Sequence, residues 1–228
     1  MTILIAEIRR ELRALGDPER ARAQQAYMKS AMPYYGVTAP EQRETWRRVF
    51  DPGALLPFEA WCDAALAMWR GAKRREERYA AIALTGRKRY RAYQTLDALP
   101  MYEEFIVDGA WWDTVDDVAT HRVGPLLAAF PGPMKKTLRA WAKGDDMWKR
   151  RSAIIAQVSF EKDTDTKLLE ACIAPSIARK EFWLRKAIGW ALRAYAWHEP
   201  QWVIRYVGAH EDELSGLSKR EALKNVGR

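Results

Sequence analysis

Apolar residues recur along the chain at helical rather than strand spacing. Leu4, Ile8, Leu12 and Leu15 form one stripe before Gly16, and Asp17-Pro18 then reads as the N-cap and first turn of the next helix. The same period marks helical stretches over 18–31, 57–70, 74–85, 98–107, 111–123, 133–143, 146–159, 165–174, 180–196 and 200–208. Thr38-Ala-Pro-Glu41 and Ser218-Lys-Arg-Glu221 carry the capping-box pattern, in which a hydroxyl accepts from a first-turn amide and the Glu reaches back to the cap. Strand-like alternation over any useful length is missing, so the pattern predicts an all-α fold.

Short helices joined by tight Pro, Gly and Asp turns can build a bundle or a solenoid, and internal repetition decides between them. Arg78-Tyr-Ala80, Arg151-Ser-Ala153 and Arg185-Lys-Ala187 share an Arg-x-Ala-apolar core, and Asp116 falls between the first two. The successive intervals from Arg78 through Asp116 and Arg151 to Arg185, 38, 35 and 34 residues, are near those of two- or three-helix solenoid repeats. Chance recurrence in an Ala- and Arg-rich chain is the alternative that periodicity alone leaves open. In a solenoid, equivalent repeat positions line one concave face, which would bring Asp116, Arg151 and the helix bearing Trp190 to one groove. The expectation is a single domain over 1–228.

Composition narrows the function. The 228 residues are 48% hydrophobic, enough for a sizeable core, and 38 Lys+Arg against 30 Asp+Glu give a net charge of +8. That balance favours a polyanionic partner. Two cysteines, Cys62 and Cys172, and three scattered histidines argue against a disulfide framework or a zinc site, so no metal or cofactor is expected. No apolar run approaches a membrane span, and Glu7, Arg9 and Arg10 interrupt the segment where a secretory leader would stay apolar. The expectation is a monomeric cytoplasmic protein. The 11 tryptophans exceed what an ordinary core uses, and some are candidates for recognition.

The stretch Trp111-Trp112-Asp113-Thr114-Val115-Asp116-Asp117 is the most unusual. On a helix Trp112 and Asp116 share a face, whereas Val115, Val118 and Ala119 point toward a core. An indole face beside a carboxylate suits a cation. The plain structural reading is that these aspartates serve a helix start and the tryptophans are core. Downstream, Trp148-Lys149-Arg150-Arg151 places three cations at a helix start, where they make most sense beside a bound anion. Phe182-Trp183-Leu184-Arg185-Lys186 repeats the pattern, and Gly189 before Trp190 allows a close approach. Arg43 and Arg47 add to the basic inventory. Cations interleaved with aromatics fit nucleic-acid contact, although each taken singly fits a solvated helix face. Phosphate-binding glycine loops, nucleophile elbows and helical zinc motifs are absent.

The blocks Gln24-Gln-Ala-Tyr27-Met-Lys29, Trp111-Trp-Asp-Thr-Val-Asp116, Trp148-Lys-Arg-Arg151-Ser-Ala-Ile, Arg185-Lys-Ala-Ile-Gly-Trp190 and Leu217-Ser-Lys-Arg-Glu-Ala-Leu223, in this order, resemble the AlkD family of bacterial DNA alkylation repair glycosylases. The resemblance covers essentially the whole chain. It implies a HEAT-like α-solenoid, a superhelix of two- and three-helix repeats with a concave basic face that wraps double-stranded DNA containing alkylated bases. It also implies hydrolysis of the N-glycosidic bond of cationic purines such as 3-methyladenine and 7-methylguanine, leaving an abasic site. On that resemblance Asp116 is catalytic, Trp112 and Trp190 are the site tryptophans, Arg151 binds phosphate, and Tyr27 lies on the DNA-facing N-terminal helices. Lys149, Arg150, Arg185, Lys186, Arg43 and Arg47 are the further candidates for DNA contact. A non-catalytic scaffold and an RNA-binding solenoid are the competing readings.

Overall fold

The structure is a computed structural model that describes residues 2–226, and every regular element among them is helical. Fourteen α-helices follow one another: α1 (Thr2–Ala14), α2 (Pro18–Met28), α3 (Ala39–Phe50), α4 (Phe58–Arg70), α5 (Arg75–Thr85), α6 (Leu99–Gly109), α7 (Trp112–Val118), α8 (Gly124–Ala129), α9 (Pro131–Lys143), α10 (Met147–Ile155), α11 (Thr166–Ile173), α12 (Phe182–Ala196), α13 (Pro200–Ala209) and α14 (Gly216–Ala222). The all-α expectation therefore holds. The chain forms two compact units, Met1–Met101 and Tyr102–Arg228.

In the first unit α3 and α5 pack on α1, and α4 packs on α5. Ile8 and Leu12 of the predicted stripe are buried with Trp46, Phe50, Trp61 and Trp69. Each such side chain removed from water contributes about 1.5–3 kcal/mol. Asp17 caps α2 as expected, accepting from the amides of Glu19 at 2.9 Å and Arg20 at 3.0 Å. The predicted box at α3 is also present, with Glu41 Oε2 accepting from the Thr38 amide at 2.8 Å and from its hydroxyl at 2.6 Å. Glu76 is buried and accepts from the amides of Tyr35, Gly36 and Val37, so a carboxylate fixes the α2–α3 loop from within. Gly36 is required there: its φ is +87°, and a Cβ would sit 2.1 Å from the Asp17 carbonyl oxygen.

The second unit stacks helices in two rows. One row runs α7, α10, α12, α14, each packed on the next, and the other runs α9 to α11. This is solenoid-like repetition, and it explains why like positions recur in the sequence. The predicted helix over 111–123 is divided: α7 leads into a π-helical turn, Ala119–Val123, before α8. The expected Ser218 cap lies three residues earlier, because Ser215 is the cap of α14 and its hydroxyl accepts from the Ser218 amide at 3.0 Å. Gly189 does meet a close neighbour. It is α14: a Cβ at 189 would stand 2.5 Å from Glu221 Cβ and 3.1 Å from the Ser218 carbonyl oxygen.

Candidate active site around Asp116

The second unit brings Asp116 and Arg151 into direct contact. They lie 35 residues apart, on the neighbouring helices α7 and α10, which matches the repeat interval read from the sequence. Val115, Val118 and Ala119 are fully buried as expected, and they fix the rotation of α7 so that Asp116 faces α10. Arg151 Nε donates to Asp116 Oδ1 at 2.7 Å and Nη2 to Oδ2 at 2.7 Å, a fork that matches the carboxylate plane. Arg151 Nη1 donates to the Trp183 carbonyl at 2.6 Å, tying the pair to α12. The Arg151 side chain is 4% exposed and that of Asp116 19%, so the guanidinium is inside while the carboxylate keeps an accessible edge.

A cluster of three further indoles lies beside the guanidinium, with Trp183 in contact with it. Arg151 lies over the Trp183 ring, 5.6 Å from its centroid, and Trp183 packs edge-on against Trp111 and tilted against Trp148 at 5.4 and 6.0 Å. None of the three is among the site tryptophans that the resemblance implies, although Trp148 and Trp183 stand in the blocks of interleaved cations and aromatics. Their signal was present, since each begins or precedes the first turn of its repeat helix. Five of the eleven tryptophans are buried: Trp46, Trp61, Trp69, Trp141 and Trp148. Trp46, Trp61 and Trp69 belong to the core of the first unit, whereas Trp148 joins Trp111 and Trp183 in the cluster beside Arg151.

Burial pushes the Asp116 carboxyl above its ordinary value, against the hydrogen bonds and charge of Arg151, while Asp113 adds repulsion in the same upward direction. The fork of Arg151 onto both carboxylate oxygens favours the ionised form and opposes that rise. Thr120 donates its hydroxyl to the Asp116 carbonyl at 2.7 Å, bracing the π-helical turn directly after it. His121 faces away from Asp116, as expected, and bonds Asp117 at 3.0 Å.

Trp112 stands on α7 one turn before Asp116 and is half-buried. Trp190 is on α12, two turns beyond Trp183 and so on the same helix face. It lines a cavity of about 350 Å³ with Val158, Ser159, Arg193, Trp197 and His198.

The expected phosphate ligands divide into committed and open groups. Arg151 is the first departure, since its fork is engaged with Asp116 instead of pointing outward. Arg150 is the second: it is buried, and it donates to the carbonyls of Lys143 and Gly144 at the end of α9 and to that of Pro175 after α11, which ties the two together. The anion invoked for the start of α10 is also internal, because Asp146 accepts from the Lys149 amide at 2.7 Å. Lys149 pairs with Glu103 beside the Trp141 ring, and Lys186 pairs with Glu221 at 3.1 Å. Arg185 is half-exposed and donates to the Arg179 carbonyl at 3.2 Å. In the first unit Tyr27 is 78% exposed, and Arg43 and Arg47 lie on the open face of α3, with Arg47 paired to Glu44 at 2.5 Å. Cys172 is buried with its thiol pushed up to about 12, and Cys62 is half-buried, so neither is poised as a nucleophile. Among the described residues no cluster of His, Cys, Asp and Glu could hold a metal ion, and no helix is long and apolar enough to cross a membrane.

A helical array of this kind with a buried acid–base pair between repeats defines a class that comparison with known proteins makes specific. The family model described as DNA alkylation repair enzyme matches residues 8–226. The chain belongs to that family. A solved structure described as a predicted DNA alkylation repair enzyme from Enterococcus faecalis is similar over 93% of this chain and 97% of that one, at 28% identity and a TM-score of 0.84. No curated protein matches the sequence. Membership carries a role in DNA repair, with DNA as the partner.

Proposed function

We propose that the protein is a monofunctional alkylpurine DNA glycosylase. On this reading it hydrolyses the N-glycosidic bond of purines carrying an alkyl group at N3 or N7 in duplex DNA, and leaves an abasic site. The observation that carries this reading is the Asp116 carboxylate, gripped through both oxygens by a bidentate Arg151 and still open along one edge.

The chemistry suits the lesion. An N3- or N7-alkylated purine already bears a positive charge, so it departs with the electron pair of the glycosidic bond as a neutral base and needs no proton. The sugar that remains develops oxocarbenium character. A fixed anion stabilises that charge, and it orients the water whose oxygen bonds to the anomeric carbon. Asp116 is given both tasks, with the water's proton passing to the carboxylate or to solvent. Trp112 and Trp190 supply apolar and cation–π surface to the cationic nucleotide. Arg151 positions the carboxylate, a change from the phosphate clamp expected of it. Arg43, Arg185 and Tyr27 remain open for DNA, and Arg47, Lys149 and Lys186 reach it by exchanging a carboxylate partner for a phosphate.

The non-catalytic scaffold is favoured by one feature: the Arg151 fork satisfies Asp116 within the protein and would serve equally to lock two repeats. Purified protein is therefore incubated with methylated duplex DNA, and free 7-methylguanine is measured. Wild type is expected to release it, and Asp116→Asn to do so at least about 100-fold more slowly with DNA affinity unchanged. No release by wild type, or undiminished release by the variant, overturns the proposal.

A further inference from the structure

The first unit contains a second concentration of charge, unrelated to Asp116. A cavity of about 700 Å³ opens among α1, the start of α2 and the approach to α5, and Arg9, Arg13, Arg22, Lys73 and Arg74 line it with one acid, Glu77. Glu77 is 1% exposed and is consumed below the surface: it accepts from Arg9 Nε at 2.9 Å, from the Tyr35 hydroxyl at 2.9 Å and from the Lys73 amide at 3.2 Å. The neighbouring acids are turned elsewhere, Glu76 onto the amides of the α2–α3 loop and Asp17 onto the start of α2. Arg74 donates to the Tyr34 carbonyl at 2.6 Å and lies over the Tyr35 ring, so a hydrogen bond and a π-face hold it in the wall. Arg13, Arg22 and Lys73 are exposed.

Five cations around one concavity repel each other. Of the five cationic side chains only Arg9 pairs with Glu77, so four converge beyond what that buried carboxylate neutralises. Long side chains of this kind ordinarily spread into water, and a concave wall of one sign focuses potential on its interior. Arg9 and Arg74 are pre-positioned by their internal contacts, whereas Arg13, Arg22 and Lys73 can close from the rim. Fixed donors at the base and mobile cations at the mouth suit a compact polyanion with several acceptor oxygens.

We propose that this cavity is a binding site for a phosphate group. Two sources carry that chemistry, a phosphate of the DNA strand and a free phosphorylated small molecule. The site stands independently of the reading of Asp116, which belongs to the other compact unit.

Inorganic pyrophosphate is the probe. Wild type, Arg22→Glu/Lys73→Glu and a charge-matched control outside the cavity, Arg91→Glu/Lys136→Glu, are melted with and without it at constant low ionic strength. Saturating pyrophosphate is expected to raise the melting midpoint of wild type and control by about 3 °C and to leave the cavity variant unmoved. Equal shifts in all three proteins, or none in any, overturn the site. Should the double reversal fold poorly, Arg22→Gln/Lys73→Gln answers the same question. The salt dependence of duplex DNA affinity then separates the sources. A slope of log affinity against log salt smaller by about 0.9 in the cavity variant than in the control assigns the phosphate to DNA, and an unchanged slope assigns it to a small molecule. Base release by the variants at saturating DNA is expected to match wild type, so failure here leaves the glycosylase reading intact.

Discussion

The Asp116–Arg151 fork makes one side chain depend on the other, and a single conservative exchange exposes the dependence. Arg151→Lys keeps the charge but replaces a planar fork with one ammonium, which cannot hold both carboxylate oxygens and the Trp183 carbonyl together. The expected result is base release slowed by about 10-fold or more, with DNA affinity nearly unchanged and stability lower by about 1–3 kcal/mol in urea titrations. The pH profile adds a second readout. Activity that needs the ionised carboxylate is lost as pH falls through the Asp116 pKa, which burial has raised, so the acid limb lies above the ordinary Asp value of 3.8. Weakening the Arg151 bonds removes part of what opposes that rise, and the limb is expected to move further up. A limb that stays in place in Arg151→Lys would mean another group titrates there. Both residues were legible in the sequence through composition and spacing. Their pairing was not, because a repeat interval gives equivalent positions without giving side-chain direction. The cations at the start of α10 were weighed against an external anion, while the carboxylates that meet them, Asp116 and Asp146, were already in the chain.

At the level of elements, hydrophobic period located nearly every helix, because one face of each is apolar enough to override weak local preferences. It was blind to the π-helical turn at Ala119–Val123 and to the shift of the α14 cap from Ser218 to Ser215, since both depend on where hydrogen bonds close. Gly189 shows how a sequence signal can be read correctly in kind and wrongly in object. The close approach is real, and the approaching body is α14. Gly189→Ala should force α14 outward, because the obstructing atoms are a Cβ and a backbone carbonyl rather than a flexible tip. A loss of about 1–3 kcal/mol in chemical denaturation is expected; unchanged stability would show that α14 shifts freely. The same helix carries Glu221, which takes Lys186 at 3.1 Å and also Arg193 of α12. The Lys186 hydrogen bond, together with both positive charges and against partial desolvation, holds the Glu221 carboxyl below its ordinary 4.5. A depressed carboxyl stabilises the fold above its unfolded pKa, and that contribution fades as pH falls through the folded one. Glu221→Gln should therefore lower the melting temperature at pH 7 and narrow its gap to wild type as the pH drops below about 4.5. Asp116 has the opposite sign, since a raised carboxyl costs stability as pH rises through its folded pKa.

For the molecule as a whole, the surplus of 38 cations over 30 anions states how much charge is available but not which charges are free to meet DNA. The structure sorts them. Arg150 is enclosed by the Lys143 and Gly144 carbonyls at the end of α9 and by that of Pro175, and Arg151 holds Asp116, so these guanidiniums are neutralised or enclosed before DNA arrives. Arg43 and Arg185 are more open, and Lys149 and Lys186 are held by single carboxylates. Counterion release on binding depends only on cations that reach phosphates, so the slope of log affinity against log salt reads this sorting directly. Arg43→Gln is expected to reduce the slope by about 0.9, the value of one phosphate contact, with undamaged duplex DNA. Arg150→Gln removes the same formal charge from the same total. Because its guanidinium lies inside, it is expected to leave the slope within error of wild type while lowering the melting temperature. If Arg150→Gln instead flattens the slope as much as Arg43→Gln, net charge alone governs association, and the division into enclosed and open cations fails. The comparison is decisive because net charge is identical in the two variants and only the location of the lost cation differs.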